Sequence, residues 1–270
     1  MDKNSQKYAL ISGGNSGLAK EAINLLVNNE YIVFSFDISY QETSQKGNVY
    51  EIPVDITNNE SLLKAKEFIL TVTDHLDLIA NFAGIVILGS LVESNLDALT
   101  KIINVNLIGT YKVNNVFFEL VKNSKGRIIN ISSEYGLLDA IPFHTFYPIS
   151  KHAIEVYNDG LRRELQFHDV KVIAIRPGAF KTKMQGGVNN QFDKMVNETK
   201  YYEKPLKKMQ FIMTGELDKA KDTKYFVKTF KKAAFKEKPK KYYNVGNSFK
   251  MKILSALPSG LQDFIFKIFF

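Results

Sequence analysis

The chain has 270 residues, of which 45% are hydrophobic and 24% charged, a composition typical of a folded protein rather than a disordered one. It has no cysteine and only 4 histidines, so a disulfide framework, a cysteine zinc site and a thiol nucleophile are excluded, and no metal site is expected. The first residues are polar, and no apolar run reaches the ~18 residues that a membrane-spanning helix needs. These features predict a cytoplasmic protein.

The net charge of +8 is concentrated in the last third of the chain. Residues 1–180 have 16 basic and 20 acidic residues, whereas residues 181–270 have 20 lysines and only 8 acidic residues. This segment could attract a membrane surface, a nucleic acid or an acyl phosphate, or it could be a solvated basic face. Nucleic-acid-binding modules usually add arginines or a recognisable motif, which this segment lacks. The solvated face is therefore favoured, and no nucleic-acid partner is expected.

Short apolar runs alternate with longer amphipathic ones over the first 180 residues, which is typical of β-α-β units. Continuous apolar runs favour buried parallel strands, and apolar residues three or four apart favour helices. The predicted strands are 8–12, 31–36, 49–54, 76–81, 127–131 and 170–175. The predicted helices are 16–28, 58–73, 96–121 and 147–167.

The remaining residues follow a different pattern. Residues 177–218 are polar without a clear period, which predicts an irregular segment with a substrate lid at 183–218. A helix at 219–235, a strand at 242–245 and an apolar tail at 249–270 complete a single domain, 1–270. The fold class is a doubly wound parallel α/β sheet of about seven strands with helices on both faces. For the helix at 257–270, a cover for the cleft or a subunit interface is favoured over a membrane contact.

A glycine-rich turn joins the first strand to the first helix. Gly13 and Gly17 permit a tight turn in which a pyrophosphate can approach the backbone, and the helix N-terminus supplies N–H donors. Asp37 ends the second strand, 24 residues after Gly13, where a carboxylate can bind an adenosine ribose. The turn and the acidic residue together predict a dinucleotide site.

Tyr147 and Lys151 are four residues apart on a predicted helix and therefore share one face. An ammonium group beside a phenol stabilises the phenolate and is expected to lower the pKa of Tyr147 from about 10. A tyrosine of this kind can act as a general acid or base.

Taken in order, these motifs resemble the short-chain dehydrogenase/reductase family over about residues 5–185. The resemblance includes the glycine-rich turn, Asn81-Phe82-Ala83-Gly84, Asn104-Val105-Asn106, Ser132-Ser133, the Tyr147/Lys151 pair and Pro177-Gly178. The run from 147 to 182 looks most like the branch that acts on steroids, retinoids and other hydrophobic alcohols. This family implies a Rossmann-type domain that transfers hydride to or from a nicotinamide.

The resemblance implies a role for each matching residue. Tyr147 would transfer the proton, Ser133 would orient the substrate oxygen, Lys151 would lower the pKa of Tyr147 and bind the nicotinamide ribose, and Asn106 would hold a water linking Lys151 to solvent. The cofactor contacts would come from Gly13, Ser16, Gly17, Leu18, Asp37, Asp55, Ile56, Asn81, Gly84, Tyr147, Lys151, Pro177, Gly178 and Thr182.

Two residues depart from the family pattern, and two others need a choice. Ala19 replaces a glycine that serves helix packing, and Phe82 replaces the second asparagine of Asn-Asn-Ala-Gly. Ser132 and Ser133 leave a strand on opposite faces, so only one can face the site, and Ser133 is favoured. His144 could contact the substrate, although a solvated or structural role is favoured for it.

The sequence predicts an oxidoreductase for a small hydrophobic alcohol or carbonyl compound, assembled as a homodimer or homotetramer. NAD is expected rather than NADP, because a 2′-phosphate near Asp37 would place like charges together. A reductase for a carrier-bound 3-oxoacyl chain and a non-catalytic cofactor-sensing scaffold are the alternatives. The presence of Ser133, Tyr147 and Lys151 argues against the scaffold.

Overall fold

The computed structural model describes residues 6–181, 184–217 and 219–269, and an eight-stranded sheet forms its centre. In chain order the strands are β1 (Lys7–Ser12), β2 (Tyr31–Asp37), β3 (Ser44–Lys46), β4 (Val49–Pro53), β5 (Leu78–Asn81), β6 (Arg127–Ile131), β7 (Lys171–Pro177) and β8 (Tyr242–Val245). Their spatial order is β3-β4-β2-β1-β5-β6-β7-β8, and every neighbouring pair is parallel except β3 with β4. The predicted fold class is confirmed. The prediction of about seven strands omitted β3, a polar edge strand of three residues without a hydrophobic signal.

Helices cover both faces of the sheet. They are α1 (Gly17–Val27), α2 (Asn59–Leu70), α3 (Leu96–Ile103), α4 (Thr110–Val116), α5 (Phe118–Asn123), α6 (Phe146–Leu165), α7 (Met184–Glu198), α8 (Glu203–Leu217), α9 (Lys224–Phe235), α10 (Phe249–Ala256) and α11 (Ser259–Phe269). Successive β1 residues enter opposite cores, with Ile11 packing beside α1 and α9, and Leu10 beside α2, α4 and α5. Because successive side chains of a strand point in opposite directions, β1 contributes to the hydrophobic cores on both faces of the sheet.

The predicted long helix at 96–121 is interrupted. A π-helical turn, Asn104–Gly109, separates α3 from α4, and Phe117 separates α4 from α5 with non-helical backbone angles. Gly109 lies directly against Ile56: a Cβ atom added there would be 2.5 Å from Ile56 Cδ1. The π-helical turn therefore packs closely against the segment that follows β4.

The polar segment at 183–218, predicted to be irregular, contains the two helices α7 and α8 instead. Their narrow apolar stripes form a third core with Leu88, made by Val188 and Phe192 on α7 and by Leu206 and Met209 on α8. These pairs are four and three residues apart, as in a helix, but the many lysines and asparagines between them conceal the period.

Four buried asparagines connect the centre of the sheet to the helices on one side. Asn81 Nδ2 donates to the side-chain oxygens of Asn114 and Asn130, at 2.7 and 2.9 Å. Asn130 Nδ2 donates in turn to Asn158 Oδ1 at 3.0 Å. All four side chains are at most 3% exposed, so this asparagine ladder joins β5 and β6 to α4 and α6 inside the protein.

Candidate active site

A cavity of about 690 Å³ opens at the carboxyl ends of the parallel strands. In open α/β sheets, ligands bind at this edge near the point where the strand order reverses, which here lies between β1 and β5. The lining residues that follow β1, β5, β6, β7 and β8 include Ser16, Gly17, Leu18, Ala19, Phe82, Gly84, Ser132, Ser133, Glu134, Pro177, Gly178, Gly246 and Asn247.

The glycine-rich turn brings the N-terminus of α1 to this cavity. Gly13 has φ +74°, and a Cβ atom on it would lie 2.7 Å from the backbone of Ala83, so only glycine fits. Ser16 Oγ donates to the Gly13 carbonyl at 3.0 Å and does not cap the helix. Because Ser16, Gly17 and Leu18 line the cavity, the helix N-terminus can accept a pyrophosphate there.

Asp37 is held next to the glycine-rich turn by three donors. Its carboxylate accepts from the backbone N–H of Asn15 at 3.0 Å, and from the N–H and hydroxyl of Ser39 at 3.0 and 2.7 Å. Across the described part of the chain, no ion pair joins Asp37 to a lysine or arginine. Lys46, the nearest cation after it in sequence, is paired with Glu51 at 2.6 Å.

Asp55 and Ile56 follow β4 and do not line the cavity. Asp55 Oδ1 accepts from the N–H and the hydroxyl of Thr57, at 2.8 and 2.7 Å. Ile56 is buried in the core against Gly109. Their contacts to an adenine therefore stay a prediction.

Asn81 lies within the asparagine ladder, whereas Gly84 lines the cavity. Phe82, which replaces an asparagine of the family pattern, packs with its ring centroid 5.8 Å from that of Phe226 and 5.7 Å from that of Phe230. The aromatic residues of α9 thus explain the apolar side chain at this position. Ala19, the other departure, is buried in the same core.

Ser133, Tyr147 and Lys151 come together on one wall of the cavity. The side chain of Ser133 lies near the Tyr147 phenol and acts to lower its pKa. Lys151 Nζ lies 5.6 Å from the Tyr147 ring centroid and donates to the Ile131 carbonyl at 3.0 Å. Ser132 Oγ has no hydrogen-bond partner within the described ranges. Of the two adjacent serines, Ser133 is thus the one that contacts the tyrosine.

Burial dominates the pKa values of this wall. It raises the pKa of Tyr147 to about 12, while the Ser133 hydrogen bond acts to lower it and the charge of Glu134 to raise it. Burial also lowers the pKa of Lys151 to about 8, against the opposing effect of Glu155. The sequence predicted a lowered pKa for Tyr147; the structure raises it, because loss of solvent is the largest effect on the phenol.

Asn106 is buried in the π-helical turn, behind the cavity wall. Its side chain exchanges two hydrogen bonds with the backbone of Ile85, at 2.8 and 3.0 Å, and donates to Ser150 Oγ at 2.9 Å. A Cβ atom on Gly84 would lie 3.3 Å from Asn106 Oδ1 and 3.7 Å from Lys151 Nζ. Asn106 thus fixes the backbone beside Lys151; its predicted water stays a prediction.

Pro177 is the last residue of β7, and both Pro177 and Gly178 line the cavity; their contact with the cofactor stays a prediction. Gly178 N–H donates to the Val245 carbonyl at 2.9 Å, and a Cβ atom on Gly178 would lie 2.7 Å from the carbonyl carbon of Gly246. This close approach of β7 and β8 requires glycine. Thr182, predicted to meet the nicotinamide carboxamide, lies outside the described residues.

His144, for which the sequence favoured a solvated or structural role, is only 4% exposed and lines the cavity. Its ring centroid lies 5.6 Å from that of Tyr147 and 4.6 Å from that of Tyr135. Burial lowers the pKa of His144 to about 4, so the ring is neutral at physiological pH. The signal available in the sequence was its position three residues before Tyr147.

Helices α7 and α8 and the tail complete the apolar part of the cavity. Val188 of α7 and Met209, Ile212 and Met213 of α8 form one side. Six residues of the tail form the other, namely Phe249, Met251, Leu254, Ile265, Phe266 and Phe269. Helix α7 is attached through Gln191, whose side chain accepts from Leu88 N–H at 2.9 Å and donates to the Val86 carbonyl at 3.2 Å.

The model of the short chain dehydrogenase family matches residues 7–193, and the chain belongs to this family. A human relative, short-chain dehydrogenase/reductase family 9C member 7, is 27% identical over 97% of this chain and 89% of its own length. The 3-ketodihydrosphingosine reductase of Bacteroides thetaiotaomicron is 32% identical over 64% of each chain. Human retinol dehydrogenase 16 is 32% identical over 65% of this chain and 57% of its own.

Among solved structures, a short chain dehydrogenase from Burkholderia cenocepacia in complex with NADP superimposes with a TM-score of 0.72. It is 21% identical, and the match covers 97% of this chain and 98% of the other. The chain is therefore an NAD(P)-dependent oxidoreductase acting on CH–OH groups. Among the described residues, no helix is both long enough and apolar enough to cross a membrane.

Proposed function

We propose that the enzyme interconverts a secondary alcohol and a ketone, or a primary alcohol and an aldehyde, on a hydrophobic substrate, using NAD(H). One observation carries the proposal: Ser133, Tyr147 and Lys151 meet on one wall of a cavity whose other walls are largely apolar. Pockets of this kind bind apolar ligands and orient them through a few polar groups. The names of the relatives, a sphingosine-type ketone reductase and a retinol dehydrogenase, support a lipid-like substrate.

Tyr147 is the proton donor and acceptor in this proposal. With a pKa of about 12, its phenol is protonated at neutral pH and can donate to the oxygen of a carbonyl substrate during reduction. In the reverse direction the phenol first loses its proton to solvent, and the phenolate oxygen then accepts the alcohol proton. Ser133, which lines the cavity beside Tyr147, binds the same substrate oxygen and holds it at the phenol.

The residues around the cavity fit a nicotinamide dinucleotide, which supplies the hydride acceptor or donor when bound. Gly13 and Gly178 leave no room for side chains where backbone segments meet, Gly84 faces Asn106 and Lys151, and the N-terminus of α1 can bind the pyrophosphate. Lys151 would bind the nicotinamide ribose. Asp55 and Ile56 would contact the adenine, and Asn81 would support the site from within the sheet.

We assign NAD(H) rather than NADP(H) from the surroundings of Asp37. Its carboxylate is fixed by neutral donors, and Lys46 is engaged by Glu51. A 2′-phosphate would therefore meet a negative charge without a compensating cation.

Residues 183–218 would act as the lid and 249–270 as the tail of a single domain. Assembly as a homodimer or homotetramer stays a prediction.

A substrate screen that follows the absorbance of the reduced cofactor tests the proposal, with free and carrier-linked ketones in parallel. Tyr147→Phe should lose at least about 100-fold in turnover while it still binds the cofactor, because only the hydroxyl is removed. Tyr157→Phe is the matched control, since Tyr157 lies on the same helix but bonds to Asn114 away from the cavity. Activity of Tyr147→Phe within threefold of wild type would disprove the assignment.

A further inference from the structure

The two helices of the tail divide their apolar residues between the cavity and the surface. Met251 and Leu254 of α10 and Ile265 of α11 line the cavity. Ile253, Leu261, Phe264 and Ile268 are 45–60% exposed. Leu261, Phe264 and Ile268 are three and four residues apart, so they form one stripe along α11, with Ile265 at its edge. The tail therefore leaves part of its apolar surface uncovered.

Other large apolar residues are exposed where the cavity meets the surface. Ile212, Phe249 and Phe269 line the cavity and are also 42%, 76% and 61% exposed. Phe211, beside Ile212 on α8, is 83% exposed. Isolated apolar residues are normal on a protein surface, but a cluster of large ones at a cavity entrance marks an interaction site. We call the residues 211, 212, 249, 253, 261, 264, 268 and 269 the entrance face.

Lysines accompany the entrance face. Lys204 and Lys208 on α8 are exposed, as are Lys252 on α10 and Lys267 on α11. They belong to the last third of the chain, which contains 20 lysines but only 8 acidic residues. A second copy of the chain would bring the same lysines towards each other across a symmetric interface, and like charges would oppose that contact. An anionic partner, by contrast, contacts the apolar side chains and attracts the lysines at the same time.

We propose that the entrance face docks on an anionic lipid surface. Large apolar side chains insert at the boundary of headgroups and acyl chains, while lysines beside them attract the acidic headgroups. The cavity then opens towards the lipid, so an apolar substrate can enter without crossing water. Docking itself does not depend on the proposed reaction, and its test uses no substrate.

Co-sedimentation with vesicles tests the docking directly. The full chain should bind vesicles of phosphatidylcholine with roughly a third phosphatidylglycerol, at least about tenfold more tightly than vesicles of phosphatidylcholine alone, and added salt should weaken the binding. Phe264→Ser/Ile268→Ser should lose at least about tenfold in affinity. Leu63→Ser/Leu70→Ser is the matched control, because both residues are 51–52% exposed but lie on α2.

A second pair of variants tests the charges independently. Lys252→Glu/Lys267→Glu should abolish the preference for anionic vesicles, whereas Lys101→Glu/Lys171→Glu, exposed lysines elsewhere, makes the same change in net charge and should preserve it. Light scattering measures the oligomeric state of every variant. Equal binding of neutral and anionic vesicles would overturn the proposal. So would a dimer that separates into monomers when Phe264 and Ile268 are replaced, since a second copy would then occupy the face.

Discussion

Glu155 and Arg176 form a bidentate ion pair between α6 and β7, with Nε–Oε1 and Nη2–Oε2 distances of 2.9 and 2.6 Å. Both side chains are nearly buried, at 10% and 12% exposure, and the ring centroid of Tyr242 lies 4.1 Å from the guanidinium carbon. Glu155 is one helical turn beyond Lys151. Its charge acts to raise the pKa of that lysine, against the larger lowering by burial. The pair thus attaches the helix carrying Tyr147 to the sheet and supports the charge of Lys151.

Glu155→Gln should therefore destabilise the protein by about 3–5 kcal/mol, because a buried guanidinium would lose its charged partner. Chemical denaturation measures the change. Glu119→Gln is the control, since Glu119 forms an ion pair with Lys122 at the surface and such pairs contribute at most about 1 kcal/mol. A loss below about 1 kcal/mol for Glu155→Gln would show that the pair does not hold α6 on the sheet.

Cofactor affinity should fall as the pH rises through about 8. The pKa of Lys151 is lowered to about 8, so its ammonium is lost above that pH and with it the predicted bond to the ribose. Titration with NADH should give a Kd roughly 10- to 30-fold weaker at pH ~9.5 than at pH ~7. Lys151→Met should bind weakly with little pH dependence. A wild-type Kd that stays constant over this range would contradict the role given to Lys151.

Acid should destabilise the fold through His144. Its folded-state pKa of about 4 lies below its usual value of 6.5, so the folded protein binds this proton less readily than the unfolded chain. The stability contributed by neutral His144 is complete above pH 6.5 and is lost as the pH falls towards 4, by about 3 kcal/mol. Unfolding free energies of wild type and His144→Phe should therefore converge or cross as the pH falls. His168→Phe, at an exposed position, should keep the wild-type pH profile.

Asp37 should make NAD(H) the preferred cofactor by about 30- to 150-fold in kcat/KM, from ~2–3 kcal/mol of screened repulsion against the 2′-phosphate. Asp37→Ser removes the charge and should narrow this ratio to a few-fold, mainly by improving the use of NADP(H). Steady-state rates with both cofactors on one substrate measure it. Equal efficiency in the wild type would show that Asp37 does not select the cofactor.

The sequence predicted those parts of the fold in which hydrophobic burial is continuous. The strands and α1, α2, α6 and α9 were expected within a few residues because their apolar runs are long and fill the two main cores. It did not predict α7 and α8, because the third core fully buries only two described residues of each helix, within polar surroundings. It also did not predict β3, which extends the sheet by edge pairing alone.

For the site, the order of the motifs indicated which residues converge, but not how deeply they are buried or how burial shifts their pKa values. Tyr147 and Lys151 share one helix face as their spacing predicted, and Ser133 meets them as the resemblance to the family implied. The raised pKa of Tyr147 depends on how completely the surrounding helices exclude water, which no local pattern encodes. For the same reason the sequence could not show that His144 is buried.

The asparagine ladder has a consequence for how the strands find each other during folding. Hydrophobic alternation distinguishes a correct pairing from one displaced by a single residue, because that displacement turns every side chain to the other face. A displacement by two residues leaves every side chain on its original face, so hydrophobic alternation does not distinguish it from the correct pairing. It would, however, separate Asn81 from Asn130, a contact between residues 49 positions apart, and bury their amides without partners. The ladder thus discriminates against the misalignments that apolar side chains tolerate.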